Sequence, residues 1–283
     1  MSELSRSQVD RLGRRLRRAG PTNVSDEDLD LLEKLLAAHA PVLVTVHERL
    51  TKALSLPVTP RLKTTDTLVE KLQRNPGMAL SRMQDVAGVR LVAEMNRAEQ
   101  NQLVARIVEF FPGAQVTDRR AVPSHGYRAV HVIVMVNQRL VEIQVRTTLQ
   151  DLWAQVVERL ADRWGRGIRY GDPPNNPDTE VGGGFTRRMM LKELMRLSEV
   201  NNSLELVAVK LEEAGAVSVE AGAVSVEARA LAESLPTVKD RDTLQKHAEV
   251  FQKHAEVFQA LKEQRPALEE EARALLVQLR SLQ

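Results

Sequence analysis

The 283-residue chain contains no cysteine, which excludes disulfides and thiolate metal sites and fits a reducing compartment. Aromatic residues make up only 3% of it, so the core must be built mainly from Leu, Val and Ala, a mix found in chains with long surface helices. Long apolar runs are missing too. Nothing approaches the roughly 18 residues of a membrane span, and Met1 to Arg6 lack the apolar region of a secretory signal. A cytoplasmic protein with no membrane partner is expected. Excess charge is also small: a net +2 and a pI near 9.0 fall far short of a dedicated duplex-binding domain, so no DNA partner is expected and any polyanion is held locally. The length suits one catalytic core with an appendage.

Residues 1–24 are basic, with Arg6, Arg11, Arg14, Arg15, Arg17 and Arg18 among few apolar groups, and read as a solvated helix or an RNA-touching arm. Ser25 with Asp28 forms a capping pattern before the stripe Leu29, Leu31, Leu32, Leu35, Leu36; Pro41 is expected to interrupt or restart that helix before a run through Leu50 and Leu54. Pro57 and Pro60 impose an extended segment carrying Arg61 and Lys63. A helix from Asp66 to Arg74 follows, stopped by Asn75-Pro76-Gly77. Asp85 stands at the entrance to a strand that includes Arg90, and Leu103 to Phe111 continue a helix that Pro112-Gly113 ends.

After a short strand near Ala114 to Thr117, two β-branched alternating runs, Gly126 to Val136 and Arg139 to Thr147, are joined by Asn137-Gln138 as an antiparallel hairpin, with Gly126 and Tyr127 opening its first strand. Leu149, Leu152, Trp153, Val156, Leu160 and Trp164 then mark an amphipathic helix. The fold class is α/β (α+β), a mixed sheet flanked by helices. Gly- and Pro-rich residues 171–185, part of a change in character that begins at Gly165, read as a mobile loop, a linker or an active-site flap. Residues 186–283 read as a helical, coiled-coil-like extension in which Glu213 to Val219 recurs as Glu220 to Val226 and Gln245 to Phe251 as Gln252 to Phe258. A seven-residue insertion advances a helix by almost two whole turns and keeps an apolar seam on one side.

Strand periodicity puts Glu142, Gln144 and Arg146 on one face and Val141, Ile143 and Val145 on the other. Two carboxylates, Asp85 and Glu142, suit magnesium completed by phosphate oxygens and water, and Glu142 is also placed to take a proton from an attacking hydroxyl. Arg61, Lys63, Arg90, Arg128 and Arg146 supply positive charge for a triphosphate. Spacing alone leaves an ordinary ion-paired strand face as the alternative. Tyr127 is either a stacking platform for a base or a half-buried core residue. His125 and His131 lack the companions of a metal site.

Together, Arg61-x-Lys63, Asp85-Val-Ala-Gly-Val-Arg90, Gly126-Tyr127-Arg128-Ala-Val-His131, Glu142-Ile-Gln-Val-Arg-Thr147 and Trp153-Ala154 with Glu158 resemble the synthetase domain of RelA/SpoT-type alarmone synthetases over roughly residues 45–170. The resemblance implies a nucleotidyltransferase-like sheet in a domain set at residues 25–170. It also implies transfer of the β,γ-pyrophosphate of ATP to the ribose 3′-hydroxyl of GDP or GTP, with Mg2+, giving (p)ppGpp-type alarmones. Carried over, Arg61 and Arg90 clasp the adenine and Lys63 and Arg146 hold phosphates, completing the ATP side. Asp85 and Glu142 are catalytic and bind the metal, Glu142 otherwise acting as base. Tyr127 stacks on the acceptor guanine, His131 contacts an acceptor phosphate, and Arg128 and Gln144 complete the acceptor side.

No His-Asp dipeptide of the family's hydrolase domain occurs, which points to a small, synthetase-only member, expected to be a homo-oligomer. The acceptor loop departs from the family's Lys-x-Asn-Gly-Tyr, reading Pro123-Ser124-His125-Gly126-Tyr127, with Arg119-Arg120 as possible replacement charge, and Glu158-Arg159 stands where Glu-His is usual. These departures keep open a toxic branch that pyrophosphorylates the 3′ CCA end of tRNA, for which the N-terminal arginines and Arg119-Arg120 would offer a basic surface. A catalytically silent nucleotide-binding regulator is a third reading.

Overall fold

The computed structural model describes residues 4–182 and 184–199, and beyond them residues 201–203, 205, 206, 209, 270, 273, 274 and 277. Both heptad duplications lie outside the described residues. Two compact units are present, Met1–Met95 with Glu99–Asp151, and Asn96–Ala98 with Leu152–Gln283. Among the described residues no helix is long and apolar enough to cross a membrane.

In the first unit, α1 (Arg6–Ala19), α2 (Asp26–Leu54), β1 (Val58–Leu62) and α3 (Thr65–Arg74) precede β2 (Ala87–Ala93), α4 (Arg97–Phe110), β3 (Gln115–Asp118), β4 (Val130–Val136) and β5 (Arg139–Thr147). The sheet order is β1-β2-β5-β4-β3, with β2 and β5 parallel and the other pairs antiparallel. This is the mixed, helix-flanked sheet expected. Asn137 and Gln138, at φ 46° and 61°, make the two-residue turn whose positive dihedrals match the twist of a hairpin. That turn sets the β4–β5 register, and register decides which face each side chain takes. Val89, Leu91, Val132, Val134, Val141, Ile143 and Val145 fill one face against Val42, Val46 and Leu50 of α2 and Leu103 and Ile107 of α4.

A second core cluster joins Val9, Leu12 and Leu16 of α1 to Leu32 and Leu35 of α2, Leu68, Val69 and Leu72 of α3, and Leu80, Met83 and Val86. The N-terminal helix is therefore half buried rather than solvated all round. Its few apolar groups fall at 9, 12 and 16, the spacing that makes one stripe. Gly13 lies under Leu80, whose Cβ would stand 2.6 Å from any Cβ at position 13. Arg17 donates to the carbonyls of Leu72 and Met78, and the Asp10 carboxylate accepts from the Ser81 amide at 3.0 Å.

Three other expectations are corrected. α2 runs unbroken through Pro41, because the proline lies on the exposed side, where the carbonyl it leaves unpaired is open to water. Gly126 and Tyr127 do not open a strand. Ser124 and Tyr127 bridge each other across a tight turn in which His125 and Gly126 have φ 50° and 81°, and β4 begins only at Val130. The glycine-rich stretch after Trp164 is folded: a 3-10 turn, Arg166–Tyr170, precedes the small hairpin of β6 (Glu180–Gly182) and β7 (Phe185–Thr186), and the Asn175 amide returns to the Trp164 carbonyl at 2.6 Å. That stretch lies in the second unit, which also holds α5 (Thr148–Trp164) from Leu152 onward with its two indoles. Trp153 Nε1 donates to the Leu194 carbonyl at 2.7 Å within a helical run over 187–199, and the Arg187 guanidinium lies 5.7 Å from the centre of the Trp164 ring.

Because Leu16 is fully buried, Leu16→Ala is expected to lower the unfolding free energy by about 2–5 kcal/mol in urea titrations. A loss below about 1 kcal/mol would mean that α1 is a dispensable arm.

Candidate active site

Opposite the apolar face, register gathers the polar residues. Gly88 of β2 pairs with Glu142 and Arg90 with Gln144, while His131 of β4 meets Gln144 from the other side and Arg61 of β1 meets Gly88. Residues paired in register share a face, so Arg61, Arg90, His131, Glu142, Gln144 and Arg146 all project from one side of the sheet.

Five of the side chains close a ring. Arg146 donates to the Tyr127 hydroxyl at 3.0 Å, that hydroxyl lies 2.9 Å from His131 Nε2, and His131 Nδ1 lies 3.1 Å from Glu142 Oε1. On the other arm Arg146 donates to Gln144 Oε1 at 2.9 Å and Gln144 Nε2 donates to Glu142 Oε2 at 2.7 Å. With a neutral imidazole every donor in both arms points from the guanidinium toward the carboxylate, a direction assigned from the network itself. Such chains polarise one another, so the carboxylate at the end is well solvated by protein. Burial is the largest influence on the Glu142 pKa and pushes it up, as does the charge of Asp85, but the hydrogen bond and attraction of His131 together with the hydrogen bond from Gln144 outweigh them and hold the group below the usual carboxylate range.

Arg146 anchors the ring. Its side chain is 2% exposed, and its second amino group donates to Asp151 Oδ1 at 2.8 Å, an oxygen that Arg90 approaches to 3.6 Å. Its guanidinium also lies 5.0 Å from the centre of the Tyr127 ring. Burial keeps the Tyr127 hydroxyl protonated by raising its pKa. Asp85 is held separately, Lys63 at 3.1 Å from one carboxylate oxygen and Lys71 at 2.7 Å from the other. There too burial pushes the pKa up, and the two ammonium groups overcome it, so Asp85 is ionised.

The structure thus brings Lys63, Asp85, Arg90, Tyr127, His131, Glu142, Gln144 and Arg146 to the site. Arg61 is exposed on the edge strand with no side-chain partner among the described residues. Arg128 goes elsewhere: it is 5% exposed and donates to the Arg120 carbonyl, bracing the loop. Arg120, considered as replacement charge for the acceptor loop, is committed to a forked pair with Asp118 and to Gln100 and Asn101 at 2.9 and 2.7 Å. Two participants carry no signal in the sequence. Lys71 sits in an amphipathic helix among Leu68, Val69 and Leu72, where a lysine reads as surface, and Asp151 lies in the first turn of α5, where an acid reads as dipole compensation.

Among the described residues no cluster of three or more His, Asp or Glu could hold a metal. Asp85 and Glu142 nevertheless feel each other's charge, which a divalent cation between them would relieve. Gly88 keeps the strands close beside them, since a Cβ there would stand 3.0 Å from the Glu142 carbonyl oxygen.

The depressed Glu142 pKa sets the sign of a pH effect. Its stabilisation is present above the unfolded carboxylate pKa and is lost as pH falls through the lower folded value. Between about pH 5 and about pH 2, Glu142→Gln should therefore lose less stability than the parent, because glutamine takes up no proton. Equal losses in urea midpoints would refute the ring as a stabilising unit.

The family model described as a region found in RelA / SpoT proteins matches residues 60–161. Uncharacterized proteins of Mycobacterium tuberculosis and Mycobacterium bovis are 41% identical over 176 residues, 60% of this chain and 63% of theirs. The chain therefore spans less than two thirds of the length of these curated relatives. The GTP pyrophosphokinase YjbM of Bacillus subtilis is 29% identical over 125 residues, 39% of this chain and 58% of that protein. The crystal structure of small alarmone synthetase 1 from Bacillus subtilis matches with a TM-score of 0.49 at 21% identity, over 65% of this chain and 97% of that one.

Proposed function

We propose that the chain, whose residues 60–161 match the model of a region found in RelA / SpoT proteins, is a pyrophosphokinase of that family and transfers the β,γ-pyrophosphate of ATP to the ribose 3′-hydroxyl of GDP or GTP. The observation that carries the proposal is the pair of ionised, half-buried carboxylates, Asp85 just before β2 with Lys63 and Lys71 against it and Glu142 on the polar sheet face with His131 against it. Likeness to a GTP pyrophosphokinase over 125 residues supports it.

In this reading Lys63 and Arg146 hold the triphosphate end of ATP, with Arg61 and Arg90 against the adenine. Lys63 and Lys71 are then shared between Asp85 and the phosphates, which limits the repulsion between carboxylate and substrate. Tyr127 and His131 receive the acceptor base and phosphate, and Gln144 fixes the carboxylate of Glu142. The 3′-hydroxyl attacks the β-phosphorus, its proton passes to Glu142, and the bond from that phosphorus to the α-phosphate oxygen breaks, releasing AMP. Asp85 and Glu142 would hold Mg2+, which when bound would supply charge neutralisation to the triphosphate. Arg128 serves here by holding the loop before β4, so its share in acceptor binding is indirect.

Incubation with γ-labelled ATP and Mg2+, offering GDP, GTP or deacylated tRNA in parallel, tests the proposal. Label is expected on the guanine nucleotides; label on tRNA alone, or on nothing, would overturn it. Glu142→Gln is expected to slow transfer by about a hundredfold or more while the circular dichroism spectrum stays that of the parent. Activity within a few-fold of the parent would remove Glu142 from the chemistry.

A further inference from the structure

Charge in this chain is segregated. α1 carries six arginines against one acid, a net +5 in 14 residues, whereas the whole chain is +2, so the other 269 residues together are −3. Its arginines divide by direction. Arg17 turns inward to the carbonyls of Leu72 and Met78, and Arg15 pairs with Asp28 at 2.7 Å. Arg6, Arg11, Arg14 and Arg18 are exposed, and no hydrogen bond or ion pair engages them among the described residues. At 3.6 residues per turn Arg11, Arg14 and Arg18 lie within about 60° of arc and about 10 Å of helix axis, on the side opposite Leu16.

We propose that this arginine stripe on α1 is a binding surface for a nucleic-acid strand, gripped through its phosphates without regard to sequence. Three features select that partner. Stable seating on a lipid surface would need the helix's apolar stripe in addition to charge, and Val9, Leu12 and Leu16 are already buried in the protein. A protein partner generally needs an apolar anchor, and the exposed residues of α1 are all polar, Ser7, Gln8 and the arginines. A row of exposed guanidinium groups, with no hydrogen bond or ion pair among the described residues, suits a line of phosphates, each of which accepts a forked pair of hydrogen bonds. The buried side of the helix holds the backbone of the stripe in place, so the ordering cost of binding a strand falls on the arginine side chains and not on the helix. The surface is independent of the carboxylate site, and neither proposal requires the other.

The test is fluorescence anisotropy with the full chain and labelled 20-nucleotide single strands of RNA and of DNA, against polyglutamate of equal charge, over a range of salt. Saturable binding of either strand is expected, weakening as salt rises. The triple variant Arg11→Ala, Arg14→Ala, Arg18→Ala should bind at least tenfold more weakly, with a salt slope shallower by about 2, near 0.7 for each phosphate that is no longer neutralised. Its far-ultraviolet circular dichroism and its pyrophosphotransfer rate without nucleic acid should match the parent, and the triple lysine variant should keep most of the affinity. Tighter binding of RNA than DNA would assign the strand to RNA, and the reverse to DNA. Three results would overturn the proposal: no strand binding at low salt, equal binding by the parent and the alanine variant, or polyglutamate bound as tightly as the strands.

Discussion

An ionised carboxylate half removed from water must be met by donors, and the polar face of this sheet is arranged around meeting two of them. Taking such a group out of solvent costs several kcal/mol even after relaxation. Glu142 is met by a histidine and an amide, Asp85 by two ammonium groups. Both solutions depend on register. A slip of one residue in the β4–β5 hairpin would turn Glu142, Gln144 and Arg146 toward the apolar core and expose Val141, Ile143 and Val145. The two-residue turn at Asn137-Gln138 is thus as necessary to the site as the residues that line it.

Much of this could be read from the chain. Alternation in Arg139 to Thr147 declared two faces of different chemistry, and the β-branched runs declared the sheet, since period two is visible in any strand with one face buried. Asp85 was legible as an acid at a strand entrance. What could not be read is who neutralises whom. Lys71 and Asp151 sit on helices whose periodicity speaks only of which residues are buried, and nothing local says that α3 and the start of α5 come beside the strand ends. Arg128 and Arg120 show the opposite case. They looked like free charge, but a tight turn at His125-Gly126 directs one to a backbone carbonyl, and a buried network with Asp118 and Gln100 absorbs the other.

Local rules also gave way to packing. Pro41 is a helix breaker by its own chemistry, yet α2 accepts it on the wet side, where one missing hydrogen bond is replaced by water. The N-terminal helix looked too poor in apolar groups to pack, and three residues at the right spacing, with Gly13 admitting Leu80, proved sufficient. Counts of apolar residues understate burial when those residues fall on one line.

Arg146 touches both halves of the site, reaching Asp151 with one amino group and Tyr127 and Gln144 with the other. The two halves are therefore not separable modules. Substitutions made around Tyr127 and substitutions made around Asp151 act on the same guanidinium, so their effects will not add, and variants assembled by combining independently selected changes from each half will behave unlike either parent.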